Sequence, residues 1–336
     1  SKQSGLDTDY ILEYNYGGGE LLSMVIPKAR GEKGAPFGNN EALIDYMSDR
    51  DVQNETSFSS DKTFLGQSTY WGGQRFSGGA FYFGVVLFVL FIFGMVFLKD
   101  SIKWPVLALM ILVMLLASND PGGINAFFIN KFPLYNKFRD SKMILILVQL
   151  MIPMMALLFI DGLMKGKVLF SDAKKVYSTS GVVFIFFATL MLIPSLSGSF
   201  ISENESKLFA EAVQNQPEAK EYFNGLKSAM KDARIFLFKQ DALRALGLAI
   251  AVLVCMLIYY RKKSFSLSLI IILGVFAIGD NISVSKRYLN TEEGIEDRDA
   301  DRISTVVAAG FMAENEDRVP YERFEPTGLS LLPAQM

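Results

Sequence analysis

Histidine is absent from all 336 residues, and cysteine occurs once, at Cys255. The first absence removes Ser/His and Cys/His nucleophilic mechanisms together with the HExxH zinc site. Acid/base chemistry must therefore fall to Asp, Glu, Lys or Tyr. A single cysteine excludes an intrachain disulfide framework, and its apolar surroundings predict a buried, inert thiol. Charge is scarce as well: Asp, Glu, Lys and Arg make up 20% of the chain and sum to −2, which gives no basic field to gather nucleic acid. No nucleic-acid partner is expected. Residues AVILMFWYC make up 51%, with 28 Phe and 15 Met, and the mean hydropathy is +0.27. This is the composition of an all-α polytopic membrane protein.

A bilayer core is crossed by about 20 mostly apolar residues, with roughly 17 to 25 the usual range. Six uncharged or nearly uncharged runs approach that length: Phe81 to Leu98, Trp104 to Ala117, Met143 to Ile160, Gly181 to Leu196, Ala242 to Tyr260 with only Arg244 inside, and Phe265 to Gly279. The first, third and fifth are long enough alone; the other three are shorter and gain weight from alternating with them. The loops after the first, third and fifth runs carry Lys99 and Lys103, then Lys165, Lys167, Lys174 and Lys175, then Arg261, Lys262 and Lys263. Positive charge stays on the cytoplasmic side, so residues 1–80, 118–142, 197–241 and 280–336 are expected outside.

On that reading residues 1–80 form an outer loop region. Residues 81–196 hold four transmembrane helices, and 242–279 hold two more. Between them, 197–241 is expected to be an outer helical hairpin, with Tyr222, Leu226, Met230, Ala233 and Leu237 recurring at helical spacing and Pro217 suiting a first turn. The tail from Thr291 to Glu325 carries eleven acids against four arginines and reads as the start of an outer soluble domain, cut short. Ser1 is not a start methionine, and no segment precedes residue 80 to carry it across a membrane; a piece of a longer protein is expected.

The outer loop 118–142 violates the charge rule. Its segment from Lys131 to Lys142 sets Lys131, Lys137, Arg139 and Lys142 among Phe132, Tyr135 and Phe138, immediately before the third span. Arg and Lys at an interface hold phosphate by charge-assisted bonds, with aromatics at headgroup depth. The segment therefore reads as a site for a lipid-linked phosphate or, equally, as an anchor that snorkels to ordinary headgroups. Glu20, after three glycines, is either a buried carboxylate near substrate or a solvated loop acid. Tyr70 and Trp71, with Arg75, can stack on a sugar ring or belong to the interfacial belt before the first span. Pro153 reads as a packing kink. Asp-x-Asp pairs at Asp7/Asp9, Asp49/Asp51 and Asp297/Asp299/Asp301 leave a divalent Mg²⁺ or Mn²⁺ open as a cofactor, but no metal ligand set is assigned. The nearly uncharged spans argue against a transporter or flippase.

Three stretches resemble the bacterial YfhO-like membrane proteins, which are similar to the GT-C class of glycosyltransferases. They are Gly5 to Tyr10 followed by Tyr14 to Glu20 and Ile26-Pro27; Asn125 to Ile129 running into Phe132 to Arg139; and Lys286 to Asn290. The resemblance implies a multi-pass protein of the bacterial cytoplasmic membrane. It also implies a sugar donor linked to polyprenyl phosphate, an envelope glycan or polymer acceptor, and a catalytic acid upstream of Ser1. Carried onto this chain, it marks Glu20, Tyr135, Lys137 and Arg139, with Arg287 and Tyr288, as substrate contacts beside the surrounding membrane lipids. The alternative from another class is a non-catalytic envelope scaffold or assembly protein.

Overall fold

All six apolar runs become helix, though of unequal length. The computed structural model describes residues 8–12, 15–17, 19–32, 35–74, 80–119, 123–138, 140–168, 170–262 and 267–288. Among these no strand forms beyond the isolated bridges Tyr16 with Ser118 and Pro36 with Ser68. The helices are α1 (Thr8–Leu12), α2 (Glu41–Asn54), α3 (Lys62–Leu65), α4 (Val85–Phe97), α5 (Lys103–Ala117), α6 (Ile124–Lys131), α7 (Ile146–Met164), α8 (Ala173–Leu192), α9 (Glu203–Asn215), α10 (Lys220–Lys262) and α11 (Leu267–Tyr288). The chain divides into two units, Ser1–Asn281 and Ile282–Met336. In the second, only the end of α11 is described.

Among the described residues, four helical segments are long and apolar enough to cross a membrane: Ser141–Met164, Ala173–Leu192, Pro217–Lys262 and Leu267–Tyr288. Helices α4 and α5, of 13 and 15 residues, rise about 20 and 22 Å, short of a hydrocarbon core about 30 Å thick. The sequence predicts a full span over Phe81 to Leu98, yet the helix starts only at Val85, because Gly84 has φ 104°, a conformation closed to helix. The hairpin expected over 197–241 also changes character. Ser202 and Glu205 form a capping box at the start of α9, and Pro217 turns the chain into α10. That helix then runs 43 residues without a break into the fifth apolar run. Leu226, Met230, Ala233 and Leu237 are buried as their spacing predicts, while Tyr222 stays exposed.

Helix α4 packs on α7, and α10 packs on α8 and α4. Gly94 lets α4 and α7 approach closely: a Cβ there would stand 3.2 Å from the Met155 carbonyl oxygen, the small-residue contact that membrane helices use in place of hydrophobic drive. Phe93, Phe97, Phe159, Phe170 and Tyr259 fill the adjoining core, with ring centroids 4.5 to 6.2 Å apart. Outward, Ile146, Leu150, Leu157, Ile185, Ile271 and Ile278 are exposed, a surface suited to hydrocarbon rather than water. Helix α7 continues through Pro153. Cys255 is buried in α10, as its apolar context predicts.

The two ends of the bundle differ in chemistry. At one end Arg261 donates to the Tyr177 hydroxyl at 3.3 Å and Lys175 lies over Phe97, so the lysine-bearing ends of α4, α8 and α10 come together. At the other, Tyr16 bonds to Ala117 at the end of α5, the Met24 carbonyl accepts from Phe83 just before α4, and α2 and the turn Pro27–Ala29 pack on α10.

Candidate functional site

The segment before α2 reaches this second end by backbone bonds. Tyr16 N–H donates to the Ala117 carbonyl at 2.9 Å, and Asn119 N–H donates back to Tyr16 at 2.8 Å. Asn15 donates to Leu116 and Ser118 and accepts from Ser141 Oγ at 2.5 Å. Residues 15–17 are thereby fixed between the end of α5 and the entry to α7, where the basic loop rejoins the bundle.

Gly19, at φ 80°, turns the chain into the 3-10 turn Glu20–Met24. Glu20 is 2% exposed, which excludes the solvated loop acid. Its Oε1 accepts from the Tyr70 hydroxyl and, at 3.2 Å, from Gly73 N–H; its Oε2 accepts from Gly17 N–H at 2.5 Å. The Tyr70 hydroxyl in turn accepts from Gln74 N–H at 3.0 Å. Burial, followed by the nearby Glu20, holds the Tyr70 phenol well above its ordinary range. The same causes, with Asp140 after them, raise Tyr16, so both are neutral hydroxyl groups. Tyr16, Glu20, Ser23, Pro27, Arg30, Gly31, Tyr70, Gln74 and Ala80 line a half-open crevice of about 200 Å³ counting its mouth, whose enclosed part holds about one water.

Arg30 forms one wall. Its guanidinium lies 3.9 Å from the centre of the Trp71 ring and fills the space beside Gly19 and Gly198, where a Cβ would approach its nitrogens to 2.3 and 2.6 Å. Burial lowers the Arg30 pKa, and Glu20 opposes that shift. Phe200 tilts against Trp71 at 4.8 Å. Trp71 is therefore buried at 5% exposure with its ring already engaged, whereas Tyr70, half-buried, lines the crevice together with Tyr16. Arg75 lies outside the described residues.

The four basic residues of the loop separate. Lys142 turns inward: its Nζ donates to Gln74 Oε1 at 2.7 Å and stands 3.6 Å from Asp140, 5.9 Å from the centre of the Tyr16 ring. Lys131 and Lys137 are exposed, in a loop that also exposes Phe127, Phe132, Leu134 and Phe138. Tyr135 is half-buried, and burial raises its pKa. Arg139 lies outside the described residues. Arg287 and Tyr288 fall in the last turn of α11, in the second unit.

Two charged clusters escaped sequence reasoning. Arg234, on α10, is 2% exposed. It pairs with Glu205 through two nitrogens at 2.6 and 3.0 Å and donates to the carbonyls of Ser68, Thr69, Tyr70 and Phe200 at 2.9 to 3.2 Å. It thus sets the strand of backbone that presents Tyr70. The second cluster joins α4, α10 and α11. Asp280 Oδ2 accepts from Val85 N–H at 2.8 Å and its Oδ1 from the Tyr82 hydroxyl at 2.6 Å; it also pairs with Arg244. Arg244 stands 3.5 Å from Asp241, whose Oδ2 accepts from Lys28 N–H at 2.9 Å. The sequence ends the sixth run at Gly279 because a charge follows; the helix continues, and the charge is buried as a cap for α4.

The Asp49/Asp51 pair does not fit a metal. Asp49 is exposed, whereas Asp51 accepts from Thr56 Oγ1 at 2.5 Å and Ser59 N–H at 2.6 Å. Among the described residues no three acidic or thiol groups gather. Asp7 and the run Asp297, Asp299 and Asp301 lie outside them, as does the acidic tail. Comparison with protein families, with curated proteins and with solved structures finds no match to this chain.

Proposed function

We propose that the chain is part of a GT-C-like glycosyltransferase of the bacterial cytoplasmic membrane, with six spans and the crevice end facing outward. Its donor would be a sugar linked to polyprenyl phosphate and its acceptor an envelope glycan or polymer. The observation that carries this reading is a juxtaposition. An exposed loop of lysines and aromatics, Lys131 to Phe138, leads within a few residues to Lys142, whose amine donates to Gln74 in the wall of the crevice that Glu20 and Tyr70 also line. Exposed lysine and phenylalanine together suit a lipid phosphate at headgroup depth. The orientation follows from the lysine-rich opposite end of the bundle.

In the proposed mechanism a carboxylate outside this chain takes the proton of the acceptor hydroxyl. Lys137 and Arg139 neutralise the departing polyprenyl phosphate. Glu20, already accepting three bonds, holds Tyr70 and the backbone of Gly17 and Gly73 in place and does not act as the base. A second reading, an envelope scaffold in which the loop only anchors, draws support from the water-sized interior of the crevice. Sugar transfer by the full-length protein separates them. The transferase loses turnover in Lys137→Ala and Arg139→Ala with membrane insertion intact; a scaffold shows no transfer in any variant.

A further inference from the structure

The lysine-bearing end of the bundle holds more positive charge than its own acids answer. Among the described residues, the links from α4 to α5 and from α7 to α8, with the last turn of α10, carry eight lysines and arginines against three acids. All three acids are occupied. Asp161 pairs with Lys165 at 2.8 Å, Asp100 accepts from Ile102 N–H, and Asp172 caps α8 by accepting from Lys175 N–H. Lys103 is occupied as well, donating to the Met95 and Leu98 carbonyls at the end of α4. Sorting of positive charge to one side accounts for the excess but not for where it gathers.

It gathers on the seam where α8 packs on α10. There Arg261 donates to the Tyr177 hydroxyl at 3.3 Å, and the Tyr177 ring stands edge-on to Tyr260 with centroids 5.8 Å apart. Lys174 lies three residues before Tyr177, on the same face of α8. Lys174 and Arg261 are exposed and pair with no carboxylate among the described residues. A hydroxyl that accepts from arginine keeps its own proton to donate, and the guanidinium keeps further N–H groups, so an anion with several oxygens can take both. Away from the end the seam turns apolar. One turn beyond Tyr177, α8 carries Gly181, where a Cβ would meet nothing within 4 Å, and then the exposed Phe184 and Ile185; Ile258 and Val254 are exposed on the stripe of α10 that leads to Arg261.

We infer that the α8–α10 seam binds one phospholipid of the surrounding bilayer with an anionic headgroup, its phosphate held by Arg261, Tyr177 and Lys174 and an acyl chain laid along the open space at Gly181. Cations and a hydroxyl at one level with an apolar strip directly beneath match such a lipid at both of its ends. The site lies at the opposite end of the bundle from the Lys131 to Phe138 loop and stands whether or not the chain transfers a sugar.

Native mass spectrometry of the full chain in neutral detergent tests it, with phosphatidylglycerol titrated against phosphatidylcholine of the same acyl chains. The first phosphatidylglycerol should bind at least about 5-fold tighter than the first phosphatidylcholine, and Arg261→Ala and Lys174→Ala should each weaken it about 5-fold. Tyr177→Phe, which leaves the charge unchanged, removes one hydrogen bond and should weaken it about 2- to 10-fold. Lys167→Ala takes the same charge from the same end but off the seam and should bind as wild type does. Because Lys174, Tyr177 and Arg261 are exposed, melting without added lipid should not change in any of these variants. Gly181→Phe fills the open space and should weaken the lipid while leaving the cations in place. Equal affinity for the two lipids, a loss in Lys167→Ala as large as in Arg261→Ala, or full binding by Tyr177→Phe overturns the inference in favour of diffuse charge. Displacement of the lipid by an equal concentration of glycerol phosphate overturns it in favour of a site for soluble phosphate.

Discussion

Replacing Arg234 by alanine should unfold the crevice end of the molecule before the rest. Its guanidinium makes two bonds to Glu205 and one each to four carbonyls, all at 3.2 Å or less, with the side chain 1% exposed. Removing it leaves the buried Glu205 with only its bonds from Ser202, beside four carbonyls that no other donor reaches among the described residues, and breaking a buried pair from one side costs about 3 to 5 kcal/mol. Trp71 supplies a local reporter, because its ring packs on Phe200, whose carbonyl Arg234 holds. Only Trp104 shares the signal, since the chain has two tryptophans, and Trp104→Phe silences it. In an SDS titration of mixed micelles followed by Trp71 fluorescence, Arg234→Ala should lose those 3 to 5 kcal/mol. Arg234→Lys should recover only part, because an ammonium cannot reproduce the guanidinium fork. The double variant with Glu205→Gln should lose less than the two singles added. A loss below about 1 kcal/mol for Arg234→Ala, or strict additivity with Glu205→Gln, would refute the reasoning that one residue holds these segments together.

Three further outcomes follow from particular contacts. Burial alone would raise the Asp51 pKa, but bonds from Thr56 and Ser59 hold it below the ordinary value. Its stabilising contribution is therefore complete above about pH 4 and lost as pH falls through the lowered value; acid melts of Asp51→Asn should lack that component. Gly84→Ala meets both φ 104° and a clash at 2.7 Å with Asn281 Nδ2, so a melt should show a loss of at least about 1 kcal/mol, while Gly247→Ala, with open space around it, should show none. Cysteines at Lys174 and Lys262 should resist a membrane-impermeant thiol reagent in intact cells and one at Asn215 should react, with Cys255 silent; labelling of the first two would reverse the orientation.

Much of the helical framework is legible in the sequence, because apolar runs report burial or lipid contact regardless of the partner. All six runs are helical, and the face of Leu226, Met230, Ala233 and Leu237 is buried as spacing predicts. What failed was length. Gly84 shortens α4, and nothing local marks where the polar arm of α10 gives way to its apolar part, since the helix is continuous. Charge is harder to read. Arg234 and Asp280 look like surface residues beside apolar runs, and only distant partners, Glu205 for one and Val85 and Tyr82 for the other, make their burial tolerable. Its glycine context marks Glu20 in the sequence, but whether such an acid is solvated depends on Tyr70, fifty positions away. Trp71 shows the converse: an aromatic that reads as a sugar platform is taken up by Arg30 and Phe200.

The exposed loop is where the account is most directly open to test. Equilibrium binding of a fluorescent polyprenyl phosphate to the full-length protein in nanodiscs compares wild type with Lys137→Ala, Arg139→Ala and the double variant. If the loop grips the phosphate, each single change removes a charge-assisted bond worth about 1.5 to 3 kcal/mol, roughly 10- to 150-fold in affinity, with insertion and melting unchanged. Lys142→Ala, whose amine is turned toward Gln74, should leave this affinity nearly as it was. Equal affinity in wild type and the double alanine variant would contradict the transferase account and leave the loop as a membrane anchor.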